Sequence, residues 1–189
     1  MSNLAYKEKA RFEIHNGQIV NMSPSAVVNH NRVIVNITRI FSTYLKGRFC
    51  TVFSDGVDVH LTEKDTFIPD VMIVCNKDII KNDGIYGAPD LVVEVLSPGS
   101  AKNDRGYKKD LYEKSGVKEY WLVGIETRSI EVYLLKDGKY ILDNVYSIFP
   151  DYELKKLTAE EKAAIAYEFT PSLFPEMTIV IEDVFEGMF

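Results

Sequence analysis

The chain has 189 residues, 46% of them hydrophobic and 26% charged, and its net charge is −6. This size and composition suit one globular domain with its own core, and the acidic balance argues against a protein that coats nucleic acid non-specifically. No apolar run approaches the ~18 residues of a membrane span and the N-terminus has no apolar signal region, so we expect a cytoplasmic protein without membrane contact.

The two cysteines, Cys50 and Cys75, both lie in strand-like apolar runs. Neither has the CxxC spacing that is typical of metal or redox sites. We therefore expect two buried free thiols.

The N-terminal part predicts a hairpin followed by a helix. RFEIHNGQIVNM alternates around Asn16-Gly17, a strong hairpin signal. Ser23-Pro24 offers an N-cap and a proline at the first helical position, and the helix is expected to run to about Lys46 and to end at Gly47. Its apolar stripe consists of Val27, Ile34, Ile37, Phe41 and Leu45.

Two polar residues in this part have ordinary structural explanations. Glu13 lies inside the first strand, where an acid at a sheet edge commonly points at water. His30 lies in line with the helical stripe, where a histidine is more often a hydrogen-bonded core residue than a catalyst.

The central part of the chain predicts a mixed sheet. RFCTVFSDGVDVHL indicates a second hairpin with Asp55-Gly56 at its turn. FIPDVMIVC, LVVEVL and EYWLVGI indicate three more strands, and a helix from about Asp104 to Gly116 separates the last two. A strand, a helix and a strand at this spacing predict a right-handed parallel crossover.

The C-terminal part predicts another hairpin, a short helix and a last strand. IEVYLL and KYILDNVYSI are joined through Asp137-Gly138. Thr158, with Glu161 three residues on, has the capping-box pattern of a helix start. MTIVIEDVFEGMF indicates one more apolar strand and a Phe-rich terminus.

Two predicted strands carry an acid where a buried strand is normally apolar. Asp70 follows a proline at the start of VMIVC, and Glu94 interrupts LVVEVL. A buried carboxylate is costly unless a cation or metal is paired with it. A loop hydrogen bond is an alternative explanation for Asp70, whereas Glu94 has apolar neighbours on both sides and must point into a covered site.

Two carboxylates on neighbouring strands with a nearby lysine are an arrangement suited to phosphodiester cleavage. The acids can bind Mg²⁺ or Mn²⁺ through oxygen, and a lysine can stabilise charge on the phosphate. Lys108 shares a helix face with Leu111 and Tyr112, the side expected to pack on the sheet, although Lys108 could instead pair with Asp104 one turn earlier. Lys109 is expected to form an exposed pair with Glu113.

The segment from Lys102 to Glu119 carries six basic residues against four acids. It is therefore a candidate nucleic-acid surface, with Lys102, Arg105 and Lys109 as the contacts. Solvated helix charge explains the same pattern equally well.

Five pieces of the chain, in this order, resemble a known family. They are FEIHNGQIVNMSP, FIPDVMIV, APDLVVEVLSP, DRGYKKDLYEKSGVKEYWLV and the spaced pattern F-P-x-M-x-I-x-I-x-x-x-F. A PD dipeptide followed by an acid on the next strand resembles the PD-(D/E)XK nuclease superfamily. The ordered set, from Arg11 to Phe185, resembles more narrowly the bacterial putative restriction endonuclease family within it.

The resemblance implies an α/β (α+β) restriction-endonuclease-like fold: one domain over 1–189, with a mixed-sheet αβββαβ core over about 11–135, an N-terminal hairpin, and an extension with strands over 136–189. It also implies Mg²⁺- or Mn²⁺-dependent cleavage of DNA, with metal bound at Asp70 and Glu94. The superfamily lysine position, two residues past Glu94, holds Leu96 here; Lys108 matches the narrower family's lysine on the following helix. His30 and Glu13 match positions near the same pocket.

Three hypotheses remain open from the sequence. The first is a metal-dependent DNA endonuclease that works as a homodimer. The second is a protein of the same fold that holds nucleic acid or a partner without cutting it, which the acidic charge and Leu96 favour. The third is a structural homodimer in which the sheet and the Phe-rich terminus serve assembly.

Overall fold

The computed structural model describes residues 11–22 and 27–189. The strands are β1 (Phe12–His15), β2 (Gln18–Asn21), β3 (Thr51–Ser54), β4 (Val59–Thr62), β5 (Asp65–Phe67), β6 (Val71–Val74), β7 (Ile80–Lys81), β8 (Gly84–Tyr86), β9 (Leu91–Leu96), β10 (Glu119–Gly124), β11 (Ser129–Lys136), β12 (Lys139–Ser147), β13 (Glu168–Phe169) and β14 (Ile179–Val180). The helices are α1 (Val28–Leu45), α2 (Ala101–Asn103), α3 (Lys109–Ser115), α4 (Asp151–Leu154), α5 (Ala159–Ala163) and α6 (Ile181–Val184), with a 3₁₀ turn at Lys77–Ile79 and a π-helical turn at Asp104–Lys108.

The central sheet has the strand order β12-β11-β10-β9-β6-β3. β3, β6 and β9 form an antiparallel meander, and β10 returns parallel to β9 after the helical segment. The predicted αβββαβ core, the mixed sheet and the parallel crossover are therefore confirmed.

The two faces of the central sheet pack against different layers. α1 and the C-terminal segment cover the face that carries Val71, Val93 and Trp121. α3 and a second sheet, of order β2-β1-β5-β4-β8-β7, cover the face that carries Met72 and Val92. Because side chains alternate along a strand, Glu94 belongs to this second face.

The hairpin at Asn16-Gly17 is confirmed, with left-handed φ values of 50° and 77° at the two turn residues. The hairpin expected at Asp55-Gly56 is wrong. β3 pairs with β6 in the central sheet, while β4 pairs with β5 in the second sheet. The turn at Asp55-Gly56 carries the chain from one sheet to the other, which a local pattern does not distinguish from a hairpin.

α1 begins at Val28, and the proposed cap at Ser23-Pro24 lies outside the described residues. Its predicted stripe is buried from Ile34 to Leu45, whereas Val27 is exposed. The helical segment after β9 begins at Ala101, three residues before the predicted start. It ends as expected at Gly116, whose φ of 88° favours glycine.

The expectation of free thiols is wrong, because Cys50 and Cys75 form a disulfide. Thr51 pairs with Val74 in the β3–β6 ladder, so the next residues outward, the two cysteines, face each other. The pairing follows from strand register, which the cysteine spacing does not reveal.

The C-terminal part confirms the hairpin at Asp137-Gly138 and the capping box between Thr158 and Glu161. The last predicted strand is mostly wrong, since β14 has two residues and α6 follows at once. Within residues 11–22 and 27–189, no helix combines the length and apolar character needed to cross a bilayer.

Candidate active site

Asp70 and Glu94 meet at the end of the β6–β9 pair. Val71 pairs with Val93, so the next position outward places Asp70 opposite Glu94. Both side chains line one cavity of about 360 Å³ together with Glu13, His30 and Lys108. The cavity opens between the second sheet, α1 and the loop that follows β9.

Asp70 is oriented by the backbone of β9 and by α1. Its Oδ2 accepts a hydrogen bond from Val95 N at 2.7 Å and lies 3.5 Å from His30 Nε2. His30 Nε2 is also 2.9 Å from the Val95 carbonyl oxygen; because a carbonyl only accepts, Nε2 carries the proton. Burial lowers the pKa of His30, but Asp70, the hydrogen bond with Val95 and the charge of Asp55 together raise the pKa above its ordinary value. His30 therefore acts as a support for Asp70.

Glu94 is buried, with 4% of its surface exposed. Lys108 Nζ lies 2.7 Å from its Oε1, and the Tyr112 hydroxyl donates to the same oxygen at 2.8 Å. Burial raises the pKa of Glu94 and the charge of Lys108 lowers it, with the net result well above the ordinary value. Glu94 thus points into a covered, polar site, as its apolar flanks predict.

Lys108 lies at the end of the π-helical turn and is as buried as Glu94. Besides Glu94, its ammonium donates to Glu13 at 3.0 Å and lies 3.6 Å from Asp104. Burial lowers the pKa of Lys108, but these carboxylates outweigh burial and raise the pKa. Lys108 is a permanent cation bound among three acids.

The ordinary structural explanation for Glu13, an acid at a sheet edge that points at water, is wrong. β1 lies between β2 and β5, so it is not an edge strand. The Glu13 carboxylate accepts from Ile68 N at 2.9 Å and from His15 Nε2 at 2.9 Å, in addition to Lys108. Burial acts to raise the pKa of Glu13, but the His15 hydrogen bond and the charge of Lys108 lower it to about 2.

Asp104 is the most enclosed acid of the group, at 1% exposure. Neither of its carboxylate oxygens accepts a hydrogen bond from any residue in the described ranges. Burial raises its pKa and Lys108 opposes the rise. The sequence predicts Asp104 only as a possible partner of Lys108, and its position four residues before Lys108 is the signal for that pairing.

The three basic candidates lie outside this cavity. Lys102 is exposed, and Arg105 donates to Glu131 on β11. The predicted pair of Lys109 with Glu113 is wrong: Lys109 Nζ lies 3.7 Å from the Tyr133 ring centre, and Glu113 pairs with Lys139 at 2.8 Å. The hairpin β11–β12, which local sequence does not place beside α3, supplies both new partners.

The donor chemistry of the cavity suits a hard divalent cation. Among the described residues, no group of three or more His, Cys, Asp or Glu side chains is arranged to hold an ion. Mg²⁺ commonly takes one or two protein carboxylates and completes its octahedron with water and phosphate oxygens. Asp70 and Glu94 fit that requirement, and the Asp104 carboxylate, whose oxygens accept no hydrogen bond within the described ranges, lies 3.6 Å from Lys108.

The fold has a counterpart among solved structures. A crystal structure of a putative nuclease belonging to DUF820, from Anabaena variabilis, superposes with a TM-score of 0.69 and covers 94% of this chain and 91% of that one. Its sequence is 19% identical, so the likeness concerns the fold, which is restriction-endonuclease-like.

Sequence comparison identifies the family. Two uncharacterized proteins of Synechocystis sp. are similar: one is 29% identical over 154 residues, which is 80% of each chain. The other is 26% identical over 125 residues, covering 64% of this chain and 70% of that protein. The sequence model of the Uma2 family, described as putative restriction endonuclease, matches residues 3–161. This match covers most of the chain, which therefore belongs to the Uma2 family.

Proposed function

We propose that the protein is a divalent-metal-dependent endonuclease that hydrolyses phosphodiester bonds in DNA. The family and the fold support a nuclease role. The observation that carries the finer proposal is the convergence of Asp70, Glu94 and Lys108 on one cavity. Two acids from adjacent strands and one buried ammonium are the groups that this chemistry requires.

In this proposal Asp70 and Glu94 hold Mg²⁺ or Mn²⁺. The bound ion would polarise the scissile phosphate and lower the pKa of a water nucleophile. Val95 N and His30 fix the orientation of Asp70, and Tyr112 fixes that of Glu94. These contacts keep both carboxylates in place before substrate arrives, which limits the reorganisation needed during reaction.

Lys108 supplies the fixed positive charge in the place of the lysine that Leu96 replaces. Its ammonium lies 2.7 Å from Glu94, so it can act on a phosphate oxygen bound next to that carboxylate. Glu13 positions Lys108 from the other side. Lys102, Arg105 and Lys109 would contact the DNA backbone away from the reacting atoms.

A cleavage assay tests the proposal. Supercoiled and single-stranded DNA would be incubated with Mg²⁺ or Mn²⁺ and compared with an EDTA control. We expect nicking by the wild type and its loss in Asp70→Asn and Glu94→Gln. Asp110→Asn, which removes an exposed acid from α3, is the matched control and should cut normally.

The second candidate function, binding without cleavage, is favoured by the acidic net charge and by Leu96. Isothermal titration with Mn²⁺ separates the two candidates. Micromolar binding that Asp70→Asn abolishes supports the nuclease. If titration detects no Mn²⁺ binding while the protein still binds DNA, the result supports binding without cleavage.

A further inference from the structure

The mouth of the cavity carries an ion pair that the proposed reaction does not use. Arg11 precedes β1 and Asp55 follows β3, and both line the cavity. Arg11 Nη1 donates to Asp55 Oδ2 at 2.9 Å, and Nη2 donates to Oδ1. The contact is bidentate, and both side chains remain partly exposed, at 44% and 36%.

This pair is anchored next to the candidate metal ligands. Asp55 N donates to the Asp70 carbonyl oxygen at 2.9 Å, and Met22 N donates to the Arg11 carbonyl oxygen at 3.0 Å. The Asp55 hydrogen bond raises the pKa of Arg11, and the charge of Asp70 adds to the rise. The guanidinium therefore lies within the electrostatic field of the site.

The pair contributes little to holding the fold together. An exposed ion pair adds little stability, because water screens the two charges and both side chains lose freedom. The β1–β2 hairpin is already held by Glu13 and its ladder. A guanidinium fork matches a phosphate as well as a carboxylate, since both accept two parallel hydrogen bonds.

The charge of the cavity makes Arg11 the available cation for an anionic ligand. Among the described lining residues, five are acids and two are Arg or Lys; the acids are Glu13, Asp55, Asp70, Glu94 and Asp104. Lys108 is enclosed by three of them. Arg11 is exposed and is bound to a single acid that can turn towards water.

We propose that Arg11 forms a phosphate subsite at the mouth of the cavity and that Asp55 occupies this subsite until a phosphate of the nucleic acid displaces it. This inference rests on the proposed function, because it names the contact for a phosphate beside the one cleaved. Exchanging Asp55 for a phosphate costs little free energy, because Arg11 keeps two charge-assisted hydrogen bonds and Asp55 is already partly exposed to water. Asp55 is thus a competitor of the substrate.

Competition predicts effects of opposite sign for the two partners. Binding of a short fluorescein-labelled DNA strand is measured by anisotropy with Ca²⁺ in place of Mg²⁺, so that binding is read without turnover. Arg11→Ala should weaken binding about tenfold, as the loss of a strong bidentate contact would. Asp55→Asn should tighten it several-fold. The double variant should bind like Arg11→Ala, because Asp55 acts only through Arg11.

Asp58→Asn is the matched control. Asp58 lies in the same turn region and its charge also raises the pKa of Arg11, but it makes no hydrogen bond to the guanidinium. We expect binding close to that of the wild type. Equal tightening by Asp58→Asn and Asp55→Asn would show a general charge effect and overturn the subsite.

Three other results would overturn the subsite. Arg11→Ala could bind DNA as tightly as the wild type, or the tighter binding of Asp55→Asn could persist in the double variant. Both single variants could also bind DNA more weakly and melt at lower temperatures than the wild type. If the wild type binds no DNA with or without Ca²⁺, the proposed function fails as well. If the wild type binds and cuts while Arg11→Ala is unchanged, only the subsite fails.

Discussion

Lys108 is surrounded by more negative charge than one ammonium can neutralise. Glu13 is ionised, with a pKa of about 2, whereas the pKa values of Glu94 and Asp104 are raised by burial. A buried cluster with surplus acid either takes up protons or gains a cation. This excess of acidic groups over cations is the reason to expect a divalent ion at Lys108 and its neighbours.

Replacing Lys108 with methionine, which keeps the long apolar stem, should reduce turnover by orders of magnitude. It should also lower stability, because breaking a buried ion pair on one side typically costs ~3–5 kcal/mol. Turnover would be measured well below the melting temperature, which circular dichroism records. Lys114→Met removes an exposed charge from α3, which directly follows the π-helical turn, and should leave turnover unchanged. Equal loss in both variants would contradict a role for Lys108.

Glu13 should make stability depend on pH in the acid range. Its pKa falls from an ordinary 4.5 to about 2 on folding, so its contribution is complete above pH 4.5 and is lost as the pH falls towards 2. The shift corresponds to roughly 3 kcal/mol. Urea unfolding at a series of pH values should show a shallower acid loss for Glu13→Gln than for the wild type.

Glu63→Gln, in the exposed turn before β5, is the control for this comparison. It should lose stability with falling pH as the wild type does. Parallel curves for Glu13→Gln and the wild type would show that Glu13 carries no such linkage.

At the scale of elements, the π-helical turn decides which lysine enters the site. It places Lys108 on the sheet side, and Lys109 turns towards Tyr133 on β11. Single π-helical turns within α-helices are frequent at functional sites. The long lysine stem can then reach Glu94 from a helix, whereas the superfamily pattern would place the lysine on the strand itself.

The basic side of this helical segment predicts a salt-dependent interaction with DNA. Each phosphate contact contributes roughly 0.9 to the slope of log affinity against log salt. Replacing Lys102, Arg105 and Lys109 with alanine should flatten that slope, as followed by anisotropy titrations at several NaCl concentrations. The control replaces three exposed lysines elsewhere, Lys155, Lys156 and Lys162. If the first triple variant has the same slope as the wild type, the basic residues of this segment are only solvated surface charge.

The disulfide joins two elements of the central sheet, β3 and β6, across 25 residues of chain. Closing a loop of this length stabilises a protein by ~3 kcal/mol. Reductant should therefore lower the urea midpoint of the wild type, and the double variant Cys50→Ser, Cys75→Ser should not respond to it. A wild type whose urea midpoint does not change with reductant would contradict the prediction.

The disulfide also bears on the compartment. Because disulfides persist mainly in oxidising compartments, the cytoplasmic location stays an expectation.

At the scale of the whole molecule, β12 is a long edge of the central sheet with exposed apolar side chains, including Ile141, Leu142 and Val145. Such edges pair with other chains unless they are protected. The homodimer stays a prediction, and we expect this strand to form its interface. Light scattering after size exclusion should give a dimer for the wild type and a monomer for Leu142→Lys; a monomeric wild type would contradict it.

Features that depend on neighbouring residues can be predicted from the amino-acid sequence alone. The turn at Asn16-Gly17 and the helix cap at Thr158 follow from local backbone chemistry. The order of the helices and strands in the core follows from the apolar runs and their spacing. Glu94 could be selected as a candidate because an acid in an otherwise apolar strand has few structural explanations.

Contacts between residues that are distant in sequence become known only from the fold. Strand pairing and register join positions far apart in sequence. They therefore decided that Asp55-Gly56 links two sheets, that Cys50 faces Cys75, and that Glu13 is buried beside Lys108. The pair of Arg11 with Asp55, separated by 44 residues, has no local signal, since an exposed arginine and a turn aspartate are ordinary until the fold brings them to one cavity.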